Sequence, residues 1–350
     1  MGERIMVISH SAGGGGSERV ASLLANYLTL SGNEVYFYAL HCDKKDYFLD
    51  PKLNYYYYET NKKSKIMRWF ERGLHLRKYI KENKINKIIS FVYFECLFFI
   101  NDKNIKKIFS LRSDPNSFYN KGILKIARDF MYSKADNIVF QTNDAKNYFS
   151  KKIQAKSVVI PNPIKSNLPY WNKENFNKEI ITACRMTAQK NLKMLLDSFN
   201  IFSKKNGEYI LSIYGEGEEL NSLVSYAKEI GINDKVFFRG YCIDVHNKIK
   251  DSAIFVMTSD YEGISNAMLE ALAIGIPTIC TDCPIGGARQ FIKDGVNGFL
   301  VPVRDYKMFS EKMDYLVNDK ELMLSFYSNA IKIRDELEVK KILSRWEELL

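Results

Sequence analysis

Residues 259–277 read SDYEGISNAMLEALAIGIP, and their order decides the fold. The apolar run at 254–257 just before them has the length and composition of a buried strand. A polar loop carrying Glu262 comes next, Ser265 or Asn266 can open a helix over about 264–274, and Gly275, Ile276 and Pro277 end it. A second apolar strand, 277–281, begins at once. Strand, helix and strand joined this closely predict parallel strands in a doubly wound sheet.

The same alternation runs on both sides of this unit. Strands are expected near 180–185, 210–214, 236–239 and 298–301, with helices near 191–203, 219–230 and 306–317. The first half alternates too, with strands at 5–9, 34–39, 88–91, 105–111, 137–140 and 157–160 and helices at 66–82, 121–134 and 144–151. A helix from Ser17 puts Val20, Leu23, Leu24, Tyr27 and Leu28 on one face, and Gly32 stops it. Between the halves, Pro161, Pro163 and a polar stretch with Pro169 break the pattern. The expected class is α/β, with two Rossmann-like, doubly wound domains. The expected boundaries are a first domain over 1–165, a linker over 166–178, a second domain over 179–320, and a helical tail over 321–350 that packs back on the first domain.

Composition narrows the class. The 350 residues are 46% hydrophobic and 26% charged, as in ordinary globular proteins. The start, MGERIMVISH, reads as a strand running into glycines rather than as a secretory signal. The longest apolar run, Ile88 to Ile100, is broken by Ser90 and Glu95; it is too short to span a bilayer and reads as a strand followed by a buried helix. Six cysteines make no disulfide scaffold, and the pair Cys280 and Cys283 has no second pair and only four histidines beside it. Free thiols in a cytoplasmic protein, with no metal, are expected. The net charge is +10, concentrated at 62–87, where ten lysines and arginines meet only Glu71 and Glu82. On a helix from about Lys65 to Glu82, Ile66, Trp69, Phe70, Leu74, Leu76 and Ile80 form a broad apolar arc with Arg68 and Arg72 opposite. Such a helix can pack its arc on the sheet and turn its cations to an anionic membrane surface or a lipid-linked pyrophosphate. So local a patch suits an anionic partner better than a general nucleic-acid coat.

Ligands of open α/β sheets bind beyond the carboxyl ends of the strands, so the loop after each strand carries the chemistry. After the first comes SAGGGGSE; Gly14, Gly15 and Gly16 let backbone amides approach an anion, but Glu18 breaks the GxGxxG dinucleotide pattern. After 180–185 come Arg185 and Lys190, two cations at a sheet mouth that suit a pyrophosphate. Gly215 opens the GEGEE turn after 210–214. In the 259–277 stretch, amides at Ile264, Ser265 and Asn266 can hold a phosphate, while Glu262 in the loop and Glu270 in the helix can accept bonds from sugar hydroxyls. Gly286 and Gly287 supply further amides in PIGGA.

Glu262 and Glu270 form Glu-x7-Glu within EGISNAMLEALAIGIP, with GVNGFLVP further along the chain. With Arg185, Lys190, GEGEE and the early glycine loop, the chain resembles the retaining glycosyltransferases of family 4, which have the GT-B fold of two Rossmann-like domains facing across a cleft. The resemblance implies that Arg185 and Lys190 bind the donor diphosphate, Glu270 the ribose, Glu262 the sugar, residues 264–266 a phosphate, and Gly286 and Gly287 the sugar. It also implies that Gly14 to Gly16 close over the diphosphate. Such enzymes need no bound metal, and no Asp-x-Asp occurs in this chain. Two departures stand out. Where many relatives carry a histidine, LRSDP places Arg112, Ser113 or Asp114, so Arg112 and Asp114 are candidates to orient the acceptor, and Gln290 replaces a common glutamate. The implied activity moves a hexose or N-acetylhexosamine from a nucleotide sugar, UDP-linked, to a glycan acceptor on a lipid carrier. The setting implied is surface-polysaccharide synthesis, such as capsule or O-antigen, by a protein peripheral to the inner face of the cell membrane. The alternatives are a non-catalytic glycosyltransferase-like partner and a nicotinamide-dependent oxidoreductase.

Overall fold

The computed structural model describes residues 3–92, 98–100, 102–116 and 120–350. The chain divides into two compact units, Met1–Pro163 with Val339–Leu350, and Ile164–Glu338. The first contains β1 (Arg4–Ser9), β2 (Glu34–Ala39), β3 (Asn54–Tyr57), β4 (Lys87–Ser90), β5 (Lys106–Leu111), β6 (Asn137–Phe140) and β7 (Ser157–Val159). They form one parallel sheet in the order β3-β2-β1-β4-β5-β6-β7. β1 is buried from Ile5 to Ser9 and paired on both sides, which is why it reads as an unbroken apolar run. The helices are α1 (Gly16–Leu30), α2 (Lys65–Glu82), α3 (Gly122–Ser133), α4 (Asn143–Asn147) and α5 (Lys151–Gln154). The buried helix expected after β4 falls on residues 93–97, outside the described residues.

The second unit holds β8 (Asn177–Ala183), β9 (Ile210–Tyr214), β10 (Val236–Gly240), β11 (Ser252–Met257), β12 (Thr278–Thr281) and β13 (Phe299–Val301). These strands are parallel in the order β10-β9-β8-β11-β12-β13. Its helices are α6 (Leu192–Lys205), α7 (Leu220–Glu229), α8 (Val245–Ile249), α9 (Asn266–Ile274), α10 (Tyr306–Val317), α11 (Lys320–Ala330) and α12 (Ile333–Glu336). α9 is the helix of the 259–277 stretch. It is buried from Met268 to Ile274, so it is apolar nearly all round, and Gly275 ends it at φ +90.

The stretch expected as a linker packs inside the second unit. Trp171 is buried, its amide donating to the Ile274 carbonyl at 2.8 Å and its indole to the Ser252 carbonyl at 2.8 Å. Residues 321–338 belong to the same unit, and only the last helix, α13 (Val339–Glu347), returns to the first. There Trp346 is fully buried and stacks on Phe91 at 5.2 Å, while the Tyr27 hydroxyl donates to Glu347 at 2.8 Å. An indole buried this way contributes roughly 4 kcal/mol of apolar transfer, enough to hold a short helix.

Candidate active site

β8 and β11 are neighbours in the second sheet although β9 and β10 intervene in the chain. The connections leave them in opposite directions, so their carboxyl ends open a crevice where ligands bind in open α/β sheets. The two loops there are stitched together. The Asp260 amide donates to the Gln189 carbonyl at 2.9 Å, the Thr258 hydroxyl to the Lys190 carbonyl at 3.0 Å, and the Asn191 side-chain amide to Asp260 at 2.8 Å. Asn191 sits in the left-handed region at φ 44 and caps α6. A 3-10 turn, Ala188–Lys190, precedes it and delivers Lys190 to the crevice.

Lys190 forms an ion pair with Glu262, and both side chains are largely buried. Burial alone would lower the Lys190 ammonium, but the facing carboxylate outweighs it and holds the group above its ordinary value. The Ser259 hydroxyl lies 3.4 Å from the same Glu262 oxygen, and the Gln189 amide donates to the Tyr261 carbonyl at 2.8 Å. Arg185, the other expected cation, is exposed one residue beyond Cys184. The thiols of Cys280 and Cys283 are buried, and burial pushes the Cys283 thiol up to about 12, so this CxxC pair is packed sulfur rather than reactive thiolate.

Glycines here are demanded by close approach. A Cβ on Gly287 would lie 1.7 Å from the Gly263 carbonyl oxygen, so the PIGGA loop can rest on the Glu262 loop only without a side chain. The Glu262 amide donates to the Pro284 carbonyl at 2.9 Å across this contact. Gly215, at φ +124, plays the same part against the Cys184 carbonyl, 1.9 Å from where its Cβ would stand. Gly287→Ala is therefore expected to cost about 1–3 kcal/mol, read from the denaturation midpoint, and to abolish turnover. An unshifted midpoint with normal activity would show that the two loops are not in contact.

Ser265 caps α9 by accepting from the Met268 amide, placing Ile264 and Asn266 at its amino end, where the helix dipole favours an anion. Glu270 is one turn inside α9 and buried, and its carboxylate lies 2.7 Å from His246 Nε2 of α8. Sequence reasoning missed both His246 and α8. A five-residue helix has too few turns to show a periodicity, and nothing in VHNKI points to Glu270.

In the first unit, Gly14 at φ +89 and the amino end of α1 come directly after β1, and α1 begins behind Gly15 with no side-chain cap. The loop is shaped from behind, where the Tyr47 hydroxyl donates to the Gly15 carbonyl at 3.0 Å. The expected acceptor-side groups are built into the fold. Arg112 donates to the Ile160 carbonyl at 3.3 Å and to Asn162, and lies 5.9 Å from the rings of Phe91 and of Trp346; burial lowers it to about 9. Asp114 is buried and accepts from the Asn116 amide at 2.8 Å.

α2 also differs from expectation. The arc was too wide for one helix to bury. Gly73, Leu76 and Ile80 turn inward, whereas Ile66, Phe70 and Leu74 face solvent. Arg72 is not a free outward cation; it donates to the His41 carbonyl at 3.3 Å and meets His41 Nδ1 at 3.1 Å. Burial, His10 and Arg72 together depress His41 to about 4. Arg68 is half-buried on the same flank.

Known proteins resemble this chain over nearly its whole length. Residues 168–333 match the family described as glycosyl transferases group 1, and residues 14–168 match glycosyltransferase family 4. An uncharacterised glycosyltransferase of Haemophilus influenzae is 27% identical over 96% of both chains. The amylovoran biosynthesis glycosyltransferase AmsD of Erwinia amylovora is 24% identical over 99% of both. Among solved structures, Anabaena HepE in complex with UDP and glucose superposes with a TM-score of 0.84 at 16% identity, over 98% of both chains. The two family matches meet at residue 168 and leave only short ends outside them, and this chain is a glycosyltransferase of the family 4 type with the GT-B fold.

Proposed function

We propose that this enzyme transfers a hexose or N-acetylhexosamine from a UDP-sugar to a glycan acceptor on a lipid carrier, with retention of anomeric configuration. The observation that carries the reading is the Lys190–Glu262 pair at the β8/β11 crevice, with Glu270 one turn inside the adjoining helix. A departing nucleoside diphosphate gains charge as the glycosyl bond breaks. An ammonium held protonated by a neighbouring carboxylate can meet that charge, with Arg185 beside it in the chain. Two basic side chains do the neutralising that a divalent ion does in other transferases, and the sequence has no Asp-x-Asp to hold one. Glu270 takes the ribose hydroxyls, Glu262 the sugar, and residues 264–266 with Gly286 and Gly287 the phosphate and sugar; in the first unit, the amides of Gly14 to Gly16 suit an anion.

The donor assignment is supported by the UDP bound to HepE. A lipid-linked acceptor is supported by the name of a Campylobacter jejuni relative, 25% identical, which acts on a diNAcBac-PP-undecaprenol glycan. A role in capsule, O-antigen or similar surface polymers is supported by the amylovoran relative. Among the described residues no helix is long and apolar enough to cross a membrane, and a peripheral place at its inner face fits the basic stretch. The test is hydrolysis of a panel of nucleotide sugars by the purified protein. Release of UDP from one or two UDP-sugars, with the other bases left intact, is the result expected. Turnover of none of them, with no binding of UDP, would overturn the reading.

A further inference from the structure

Among the described residues, four that are not glycine hold a left-handed backbone, and two of them, Asn191 at φ 44 and Arg304 at φ 66, meet at one carboxylate. Such a backbone is mildly strained for asparagine and more so for arginine, and it persists only where the surroundings hold it. Asp260 does the holding. Its Oδ1 accepts from the Asn191 side-chain amide at 2.8 Å. Its Oδ2 accepts from Nη2 of Arg304 at 2.8 Å and from Nε of the same guanidinium at 3.2 Å. Three loops converge on this carboxylate: Asn191 ends the turn between β8 and α6, Asp260 lies between β11 and α9, and Arg304 lies between β13 and α10.

This clasp adjoins both charged groups of the crevice. Asn191 directly follows Lys190, and Asp260 stands two residues before Glu262. The Thr258 hydroxyl reaches the Lys190 carbonyl at 3.0 Å and the Asn191 carbonyl at 3.2 Å. Beside the clasp lies a hollow of about 380 Å³, with Asn191, Met194, Asp260 and Arg304 in its lining. No side chain fills that space, so polar bonds rather than packing hold the turn on this side. The hollow is no cup for a charged ligand, because the other charges in its wall are engaged: Asp197 accepts from the Tyr226 hydroxyl at 2.6 Å, and the Lys193 ammonium lies 4.3 Å from the Tyr226 ring centre.

We propose that Asp260 and Arg304 are positioning residues for the transfer: the carboxylate ties the Lys190 turn to the Glu262 loop, and the guanidinium fixes the carboxylate. The inference rests on the role proposed above for Lys190. Both side chains act through the backbone that carries Lys190, and a displacement of about 1 Å at a reacting group can cost about 100-fold in rate. Arg304 separates this role from a structural one. Its side chain is 75% exposed, so its ion pair adds little to stability. It also stands at a backbone position where glycine would be unstrained. Stability alone gives no reason for an arginine there, whereas orienting Asp260 does.

The experiment compares melting temperature, UDP affinity and single-turnover release of UDP at saturating donor in the full chain. Arg304→Gly removes the ion pair and the left-handed strain together, so its melting temperature should be unchanged or higher. Its turnover should nevertheless fall about tenfold, with UDP affinity kept. Asp260→Ala cuts both connections and should lower turnover about 100-fold. In a Lys190→Ala background, Arg304→Gly should cause no further loss, because the ammonium it helps to place is gone. If Lys190→Ala is slow while Arg304→Gly and Asp260→Ala keep the wild-type rate, the positioning role is wrong and the crevice stands. If Lys190→Ala itself keeps the wild-type rate, the reading of the crevice falls and takes the positioning role with it. A melting temperature that falls with turnover in Arg304→Gly, together with a further loss in the Lys190→Ala background, would make the clasp a structural tie and overturn the proposal.

Discussion

Lys190→Ala is expected to lower kcat by about 10²–10³-fold, the loss typical when one preorganised group facing developing charge is removed. The effect should sit in kcat rather than KM, because the leaving diphosphate carries more charge in the transition state than in the bound donor. A complication is built into the site. Lys190 is the partner of the largely buried Glu262, so its removal leaves a carboxylate without its countercharge. Truncating one partner of such a pair costs about 3–5 kcal/mol of stability where burial is deep, and less here, where both side chains keep some contact with solvent. Lys190→Ala with Glu262→Gln removes that strain and should restore the melting temperature without restoring turnover. Arg185→Ala should also lower kcat by about 10²-fold, with little change in melting temperature, since Arg185 is exposed. Single-turnover release of UDP from the saturated enzyme is the measurement. Wild-type rates in both Lys190→Ala and Arg185→Ala would remove the diphosphate machinery from this crevice.

Much of this crevice was legible in the chain because it is built from local signals. Ser265 as a cap, Gly275 as a stop and the apolar runs on either side fix β11, α9 and β12 without knowledge of anything distant. Once the strands are parallel, the positions after them are forced toward one edge, and Arg185, Lys190 and Glu262 are carried there with them. The features that escaped notice depended on tertiary partners. β3 is an edge strand of half-buried tyrosines, with no alternation of apolar and polar residues to announce it. α2 carries more apolar residues than one helix face can bury, so sequence alone could not say which of them turn outward. Arg112 was a candidate because it stands where many relatives carry a histidine; its contacts with Asn162 and Trp346, residues far along the chain, are what the sequence did not announce. Helical periodicity is blind to such contacts.

His246 belongs to the same class of omission, and it carries the second large effect. Glu270→Ala is expected to weaken UDP binding about 10–100-fold, the worth of hydrogen bonds to a charged group in a buried site. At saturating donor the rate should change much less, because ribose contacts are made alike in the ground and transition states. Glu262→Gln should show the opposite split, with turnover lost and UDP affinity kept. His246 lies 2.7 Å from Glu270, and if Glu270 binds the ribose as proposed, the imidazole is placed to orient its carboxylate. His246→Ala should therefore weaken UDP binding about tenfold with unchanged kcat. The two substitutions together should be no worse than Glu270→Ala alone, because without the carboxylate the imidazole has nothing to orient. Calorimetric dissociation constants for UDP across this double-mutant cycle make the test. Losses that simply add would mean that His246 acts on the nucleotide directly. A wild-type affinity in His246→Ala would reduce the contact to packing, since an imidazole that orients nothing leaves the carboxylate as well placed without it as with it.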